Sequence, residues 1–252
     1  MISKVLIIGL ISLLPTLATA QNTTITSFAK AKKILLKDIY TDYHKTIYCN
    51  AVYNPKDKSI ISYPDGFDDT ILSTRAKRIE YEHIVPAQNF GRTFKEWREG
   101  SPLCINNKGE SYKGRKCAEK ASILYNFMQS DMYNLYPAIG SVNGLRSNLA
   151  YTELPENIPN AFGGCAFKIA DKRAEPPEEV KGIVARATLY FEEAYKPRFK
   201  INDRQRKIMQ KWHADHPVTE WECIRTYRIE NIQFSENKIV KDACISAGLW
   251  PN

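Results

Sequence analysis

Apolar side chains recur at three- and four-residue intervals in several stretches of the chain. The clearest run is 118–135, where Ile123, Leu124, Phe127, Met128, Met132 and Leu135 form one stripe. That spacing predicts a helix over about 118–135, stopped by Pro137. Phe28, Ala31, Leu35 and Ile39 predict an earlier helix opened at Thr26-Ser27. A third stripe, Val180, Ile183, Val184, Ala187, Phe191 and Ala194, begins after Pro176-Pro177 and ends before Pro197. Asn202 or Asp203 caps the next helix, to about Ala214, and Thr219 with Glu222 forms a capping-box pattern for another.

Two-residue alternation is weaker. TIYCNAVY (46–53) reads as a strand, with a turn at 54–57 and a return strand at 59–63. Residues 64–77 read as irregular. RIEYEHIVPAQNF (78–90) opens as a short strand from Arg78 to about His83 and is closed by Pro86. A short helix is expected over 93–98 and a polar loop over 100–117. SVNGLRSN (141–148) is rich in turn residues, and AFGGCAFKI (161–169) reads as a strand entered through two glycines. There is no repeat and no linker, and cysteines lie in both halves. One mixed α+β domain over 21–252, mostly helical, is the expected architecture.

Composition changes this picture at the N-terminus. Residues 1–20 carry one charge, Lys4, an apolar stretch from Val5 to Leu14, and the ending Ala18-Thr19-Ala20. This is the layout of a secretory signal peptide. The apolar stretch is broken by Pro15 and falls short of the ~20 residues of a spanning helix. The expectation is an exported protein, periplasmic or extracellular, with no membrane anchor. Without Lys4 the remaining chain has 35 basic and 28 acidic residues, a net +7. A basic excess on an exported chain favours a polyanionic partner. Arg75, Lys77, Arg92, Lys113, Arg115 and Lys116 are candidates for a basic surface. Six cysteines, Cys49, Cys104, Cys117, Cys165, Cys223 and Cys244, predict disulfides in an oxidising compartment. Cys104 with Cys117 is the favoured local pair; the other four stay unassigned.

The chemistry centres on His83, beside Glu80 and Glu82. Glu82 offers a carboxylate and Asn134 an amide oxygen, hard ligands suited to Mg²⁺ or Ca²⁺ rather than zinc. His83 beside them would be a general base at neutral pH. Successive strand side chains face opposite ways, so Glu82 and His83 share a cleft only if the strand ends or bends near His83. Ala87 stands four residues after His83, which excludes an HExxH zinc motif. His213 and His216 read as a solvated helix end stopped by Pro217, and His44 as surface or partly packed. Two other readings compete. One is an exported polyanion-binding module that does not cut. The other is a glycosidase built on Glu80 and Glu82, whose side chains would lie on one side of a sugar rather than flank it.

The chain resembles the endonuclease I family of periplasmic and secreted nonspecific nucleases. The matching runs are RIEYEHIVPAQNFGR (78–92), MQSDMYNLYPAIGSVNGLRSN (128–148), EPPEEVKGIVARATLYF (175–191) and PVTEWECIRTYRI (217–229). The resemblance implies a ββα-metal (His-Me finger) core. It also implies one divalent ion, Mg²⁺ foremost with Ca²⁺ or Mn²⁺ as alternatives, no organic cofactor, and a monomer. DNA, and RNA with it, would be bound through backbone phosphates. It places Glu82 and Asn134 as metal ligands and His83 as the base. Glu80, Gln129, Asp131, Asn143 and Asn148 fall at motif positions around them, and Arg146 is a candidate phosphate contact. The family's Gly-Gly-Arg after the tryptophan matching Trp97 is replaced by Glu99-Gly100-Ser101-Pro102, without an arginine. Either Arg98, Arg92 or Arg115 takes that role, or the role is weaker here. The cysteine beside that tryptophan is replaced by Glu96, so Cys104 would have to supply the local disulfide, and INNKGESYKGRK (105–116) lengthens the loop.

Overall fold

Residues 21–251 are described by a computed structural model, so the expected leader, 1–20, lies outside the described residues. Ser27 caps the first helix, α1 (Phe28–Ile34), which runs on into a wider π-helical turn at Leu35–Ile39. Strands β1 (Val52–Tyr53) and β2 (Ile60–Ser62) form a small antiparallel ribbon. The expected strand over 46–53 is therefore mostly turn. Asn50 sits at φ 52°, and Cys49 is tied by a disulfide to Cys165, which pins this segment to a distant strand instead.

A short helix, α2 (Ser73–Ala76), interrupts the stretch read as irregular, and β3 (Ile79–His83) follows. Next come α3 (Ala87–Gly91), α4 (Lys95–Arg98), α5 (Arg115–Ala121) and α6 (Ile123–Gln129). The single helix expected over 118–135 is thus broken. Ser122 is extended, ends α5, and caps α6 by accepting from Tyr125 N. After a 3-10 turn at Met132–Asn134 the chain becomes β4 (Leu135–Ile139), antiparallel to β3 with His83 opposite Leu135. Pro137 lies inside this strand rather than stopping a helix. Its carbonyl points away from β3 and accepts from Ile47 N at 2.8 Å, so its missing N–H falls on the outer edge of the pair.

The turn-rich stretch 141–148 is also corrected: Gly140–Arg146 is helix α7, packed on α2, β3 and β4. Its glycines serve contact. A Cβ on Gly140 would stand 2.5 Å from Arg75 O, and one on Gly144 2.5 Å from Arg75 Nη1. Beyond it, β5 (Ala150–Tyr151), β6 (Asn160–Phe162), β7 (Cys165–Ala170) and β8 (Arg173–Glu175) form a four-stranded sheet in the order β5-β8-β7-β6. Helices α8 (Lys181–Ala194), α9 (Asp203–Asp215), α10 (Glu220–Gln233) and α11 (Lys238–Ser246) complete the chain.

The result is a mixed α+β fold with three disulfides, Cys49–Cys165, Cys104–Cys117 and Cys223–Cys244. One apolar cluster, including Phe90, Tyr125, Met128, Leu135 and Phe191, lies on one side of the β3–β4 pair. A second, including Ile84, Ile139, Val142, Phe162 and Trp212, lies on the other. The β3–β4 pair is held between them, which fixes its side chains. Among the described residues no helix is long and apolar enough to cross a membrane.

Candidate active site

Strand β3 ends at His83, and the chain bends at Ile84 and Val85. This supplies the break that lets adjacent residues serve one cleft. A cavity of about 760 Å³ is lined by Glu80, Glu82 and His83, by Asn143 and Asn148 around α7, and by Arg115 at the start of α5. Lys32, Lys58, Arg75 and Arg78 also line it, so the basic residues outnumber the two carboxylates.

His83 is 8% exposed, and its Nε2 lies 2.9 Å from the Gln129 carbonyl oxygen. A carbonyl only accepts, so Nε2 carries the proton and Nδ1 keeps the lone pair. Phe28 packs on the ring at 4.8 Å between centroids. Burial, and next the Arg115 guanidinium, lower the His83 imidazole from 6.5 to about 3. The ring is therefore neutral at ordinary pH.

Glu82 is buried beside Arg146, whose Nη1 donates to Oε1 at 2.7 Å. Tyr48 donates to the same oxygen at 2.8 Å, and the Tyr151 hydroxyl lies 3.5 Å away. These contacts all fall on Oε1, leaving Oε2 for another partner. Burial raises the carboxyl's pKa, and Arg146 opposes the rise. Arg146 itself is 1% exposed and also donates to the carbonyls of His83 and Ile84. It builds the strand end rather than standing open to a substrate in this cavity.

Glu80 does a different job. Arg75 forks onto both of its oxygens, from Nε at 2.9 Å and Nη2 at 2.5 Å, and Asn143 Nδ2 donates to Oε2 at 2.8 Å. Holding the Asn143 amide nitrogen fixes its Oδ1 as the free end. Asn134, expected as a ligand, is placed elsewhere. Its Oδ1 accepts from Val85 N at 2.7 Å and its Nδ2 donates to Val85 O at 3.0 Å, and it does not line the cavity. It clamps the bend after His83. Glu82 Oε2 and Asn143 Oδ1 are thus hard oxygens left without a hydrogen bond on residues that line the cavity, and their chemistry fits Mg²⁺ or Ca²⁺. Two protein oxygens suit Mg²⁺, which retains several waters. Among the described residues no group of three or more His, Cys, Asp or Glu is placed to hold an ion.

Of the three arginines expected to replace the missing one, Arg115 reaches the site. It follows Gly114, at φ 87°, which turns the long loop into α5 beside the Cys104–Cys117 disulfide. Arg115 Nη2 donates to Gln129 Oε1 and Nε to Glu119, each at 3.2 Å, and the side chain stays partly exposed. Arg98 instead donates to the Arg92 carbonyl, and Arg92 lines a separate cavity. Gln129 thus holds both His83 and Arg115. Asn148 meets the Gln88 side chain at 2.8 Å on the cavity rim. Asp131 does not line the cavity. It is fully buried and receives Tyr190 and Tyr195 hydroxyls at 2.9 and 2.6 Å, with Gln233 Nε2 at 3.0 Å. His216 meets Glu178 at 3.2 Å, a helix-end contact, and His44 packs edge-on against Tyr53.

The sequence gives no sign that Tyr48, Tyr151 and Phe28 set Glu82 and His83, and Arg75, read there only as surface charge, is the partner that fixes Glu80. Tyr48, Tyr151 and Phe28 come from distant segments and carry no local motif.

Residues 21–244 match the family model described as Endonuclease I. A periplasmic deoxyribonuclease of Aeromonas hydrophila is 34% identical over 245 residues, covering 94% of this chain and 94% of that protein. Endonuclease-1 of Buchnera aphidicola subsp. Acyrthosiphon pisum (strain APS) is 36% identical over 225 residues, covering 88% and 83%. An extracellular deoxyribonuclease of Aeromonas hydrophila is 33% identical over 234 residues, covering 90% and 93%.

Proposed function

The chain belongs to the endonuclease I family, and from that premise we propose that it is an exported endonuclease that hydrolyses phosphodiester bonds of DNA without sequence preference. The observation that carries this reading is the convergence of Glu82, His83, Asn143 and Arg115 on one basic cavity. Relatives named periplasmic and extracellular deoxyribonucleases support the substrate and the export. The segment 1–20 serves as the signal peptide, and the protein works as a monomer. RNA, which offers the same backbone phosphates, falls within the proposed substrate range.

In this reading β3, β4 and α7 form the ββα unit. His83 Nδ1 takes the proton of the attacking water, and Gln129 keeps the required tautomer by accepting from Nε2. Arg115 holds a non-bridging phosphate oxygen. Glu80 orients the Asn143 amide, and Arg146 with Tyr48 orients Glu82. Glu82 and Asn143 would hold one divalent ion, Mg²⁺ foremost, which supplies positive charge for the leaving oxygen.

Plasmid cleavage by the oxidised protein tests this. Nicking with Mg²⁺, and none with EDTA or with His83→Ala, is the expected pattern. Retarded but uncut plasmid in every lane would instead make the chain a DNA-binding protein on this fold.

A further inference from the structure

On the other side of Pro86 lies a second cavity, of about 380 Å³. Arg92, Arg146, Arg198 and Lys200 line it, and no carboxylate does. Arg146 is the key group. It is 1% exposed, and its Nε is buried with no hydrogen-bond partner. Its other nitrogens are spent on Glu82 and on the carbonyls of His83 and Ile84. A buried charged donor left without an acceptor is costly, and an anion seated in the cavity would satisfy it. Arg198 and Lys200 are exposed at the mouth. Phe199 and Tyr151 add apolar walls, and the volume suits a ligand of about one nucleotide.

We propose that this cavity is a second phosphate site, in which Arg146 Nε–H donates to a phosphate oxygen of nucleic acid while Arg198 and Lys200 close over it. The anion site stands on the cavity itself; the nucleic-acid origin of the phosphate rests on the nuclease reading. The phosphate comes either from the end of a released product or from within an uncut strand. Arg146 also holds Glu82, so one guanidinium spans this cavity and the proposed cleavage site.

The test is calorimetric titration of the oxidised protein in EDTA with inorganic phosphate, thymidine 5′-monophosphate, the dinucleotide d(TpT), and thymidine. The phosphate compounds should bind and thymidine should not. Arg198→Gln/Lys200→Gln should weaken binding about tenfold, the loss of two charge-assisted contacts. Arg204→Gln/Lys207→Gln, which removes equal charge from exposed positions outside this cavity, should leave it unchanged. Tighter monophosphate than dinucleotide marks a product site, and the reverse marks a strand subsite. Unchanged affinity in the Arg198/Lys200 variant, or an equal loss in the Arg204/Lys207 variant, overturns the proposal. Failure of the nuclease reading would look different: no plasmid cleavage, with this binding intact.

Discussion

The imidazole of His83 is tied to the backbone of Gln129, Nε2 to carbonyl oxygen at 2.9 Å, across 46 residues of sequence. This contact leaves Nδ1 as the basic nitrogen. His83→Ala should therefore lower the plasmid-cleavage rate by at least about 100-fold, the low end for a lost general base. Circular dichroism should show the fold retained. A rate near that of the wild type would remove His83 as the base.

The same burial predicts a pH dependence of stability. In the folded protein His83 stays neutral down to about 3, whereas in the unfolded chain it titrates near 6.5. Below 6.5 the unfolded state binds the extra proton, so stability is full above 6.5 and falls as pH drops toward 3. The slope contributed approaches about 1.4 kcal/mol per pH unit within that window. Thermal melts in EDTA at pH 7, 5.5 and 4 should show a smaller loss for His83→Gln than for wild type. Parallel losses would mean that His83 is not held neutral.

Asn134 and Asn143 should separate cleanly. Asn134→Ala leaves the N–H and C=O of Val85 without partners in a buried bend, at a cost of about 1–3 kcal/mol for each group. Its melting temperature should fall markedly. Asn143→Ala should keep near wild-type stability but need more Mg²⁺ for half-maximal cleavage. An unchanged metal requirement in Asn143→Ala would exclude its amide as the ligand.

This pair also shows how far the sequence could be read. The acid, the histidine and the bend at Pro86 were legible because they lie within a few residues of one another. Which asparagine faces the cavity was not, because it depends on Ser122 splitting the long helix and on Pro137 entering a strand. Both changes turn the chain so that α7, read as a loop, delivers Asn143. Cys104–Cys117 was legible as a short staple, while Cys49–Cys165 spans 116 residues and left no local trace.

Arg115→Ala should reduce cleavage and flatten its dependence on salt, since one phosphate contact accounts for a change in slope of about one. Arg98→Ala, whose side chain is turned to the Arg92 carbonyl, should leave both nearly unchanged. Cleavage measured from 50 to 200 mM salt compares them. Equal effects would mean that the arginines act only through surface charge.

The last prediction joins a disulfide to the site. Cys49 adjoins Tyr48, and Tyr48 donates to Glu82 Oε1 at 2.8 Å. Cys49→Ser/Cys165→Ser frees a loop of 116 residues, a loss of about 4 kcal/mol or more by chain entropy, and releases the segment that holds Glu82. Cys223→Ser/Cys244→Ser opens a 21-residue loop whose cysteines do not line the cavity, at a cost of about 3 kcal/mol. Both variants should melt earlier. Only the first should also need more Mg²⁺ for cleavage when assayed well below its melting temperature. If both variants keep the wild-type Mg²⁺ requirement, Tyr48 does not depend on the disulfide to position Glu82, and that cross-link serves stability alone.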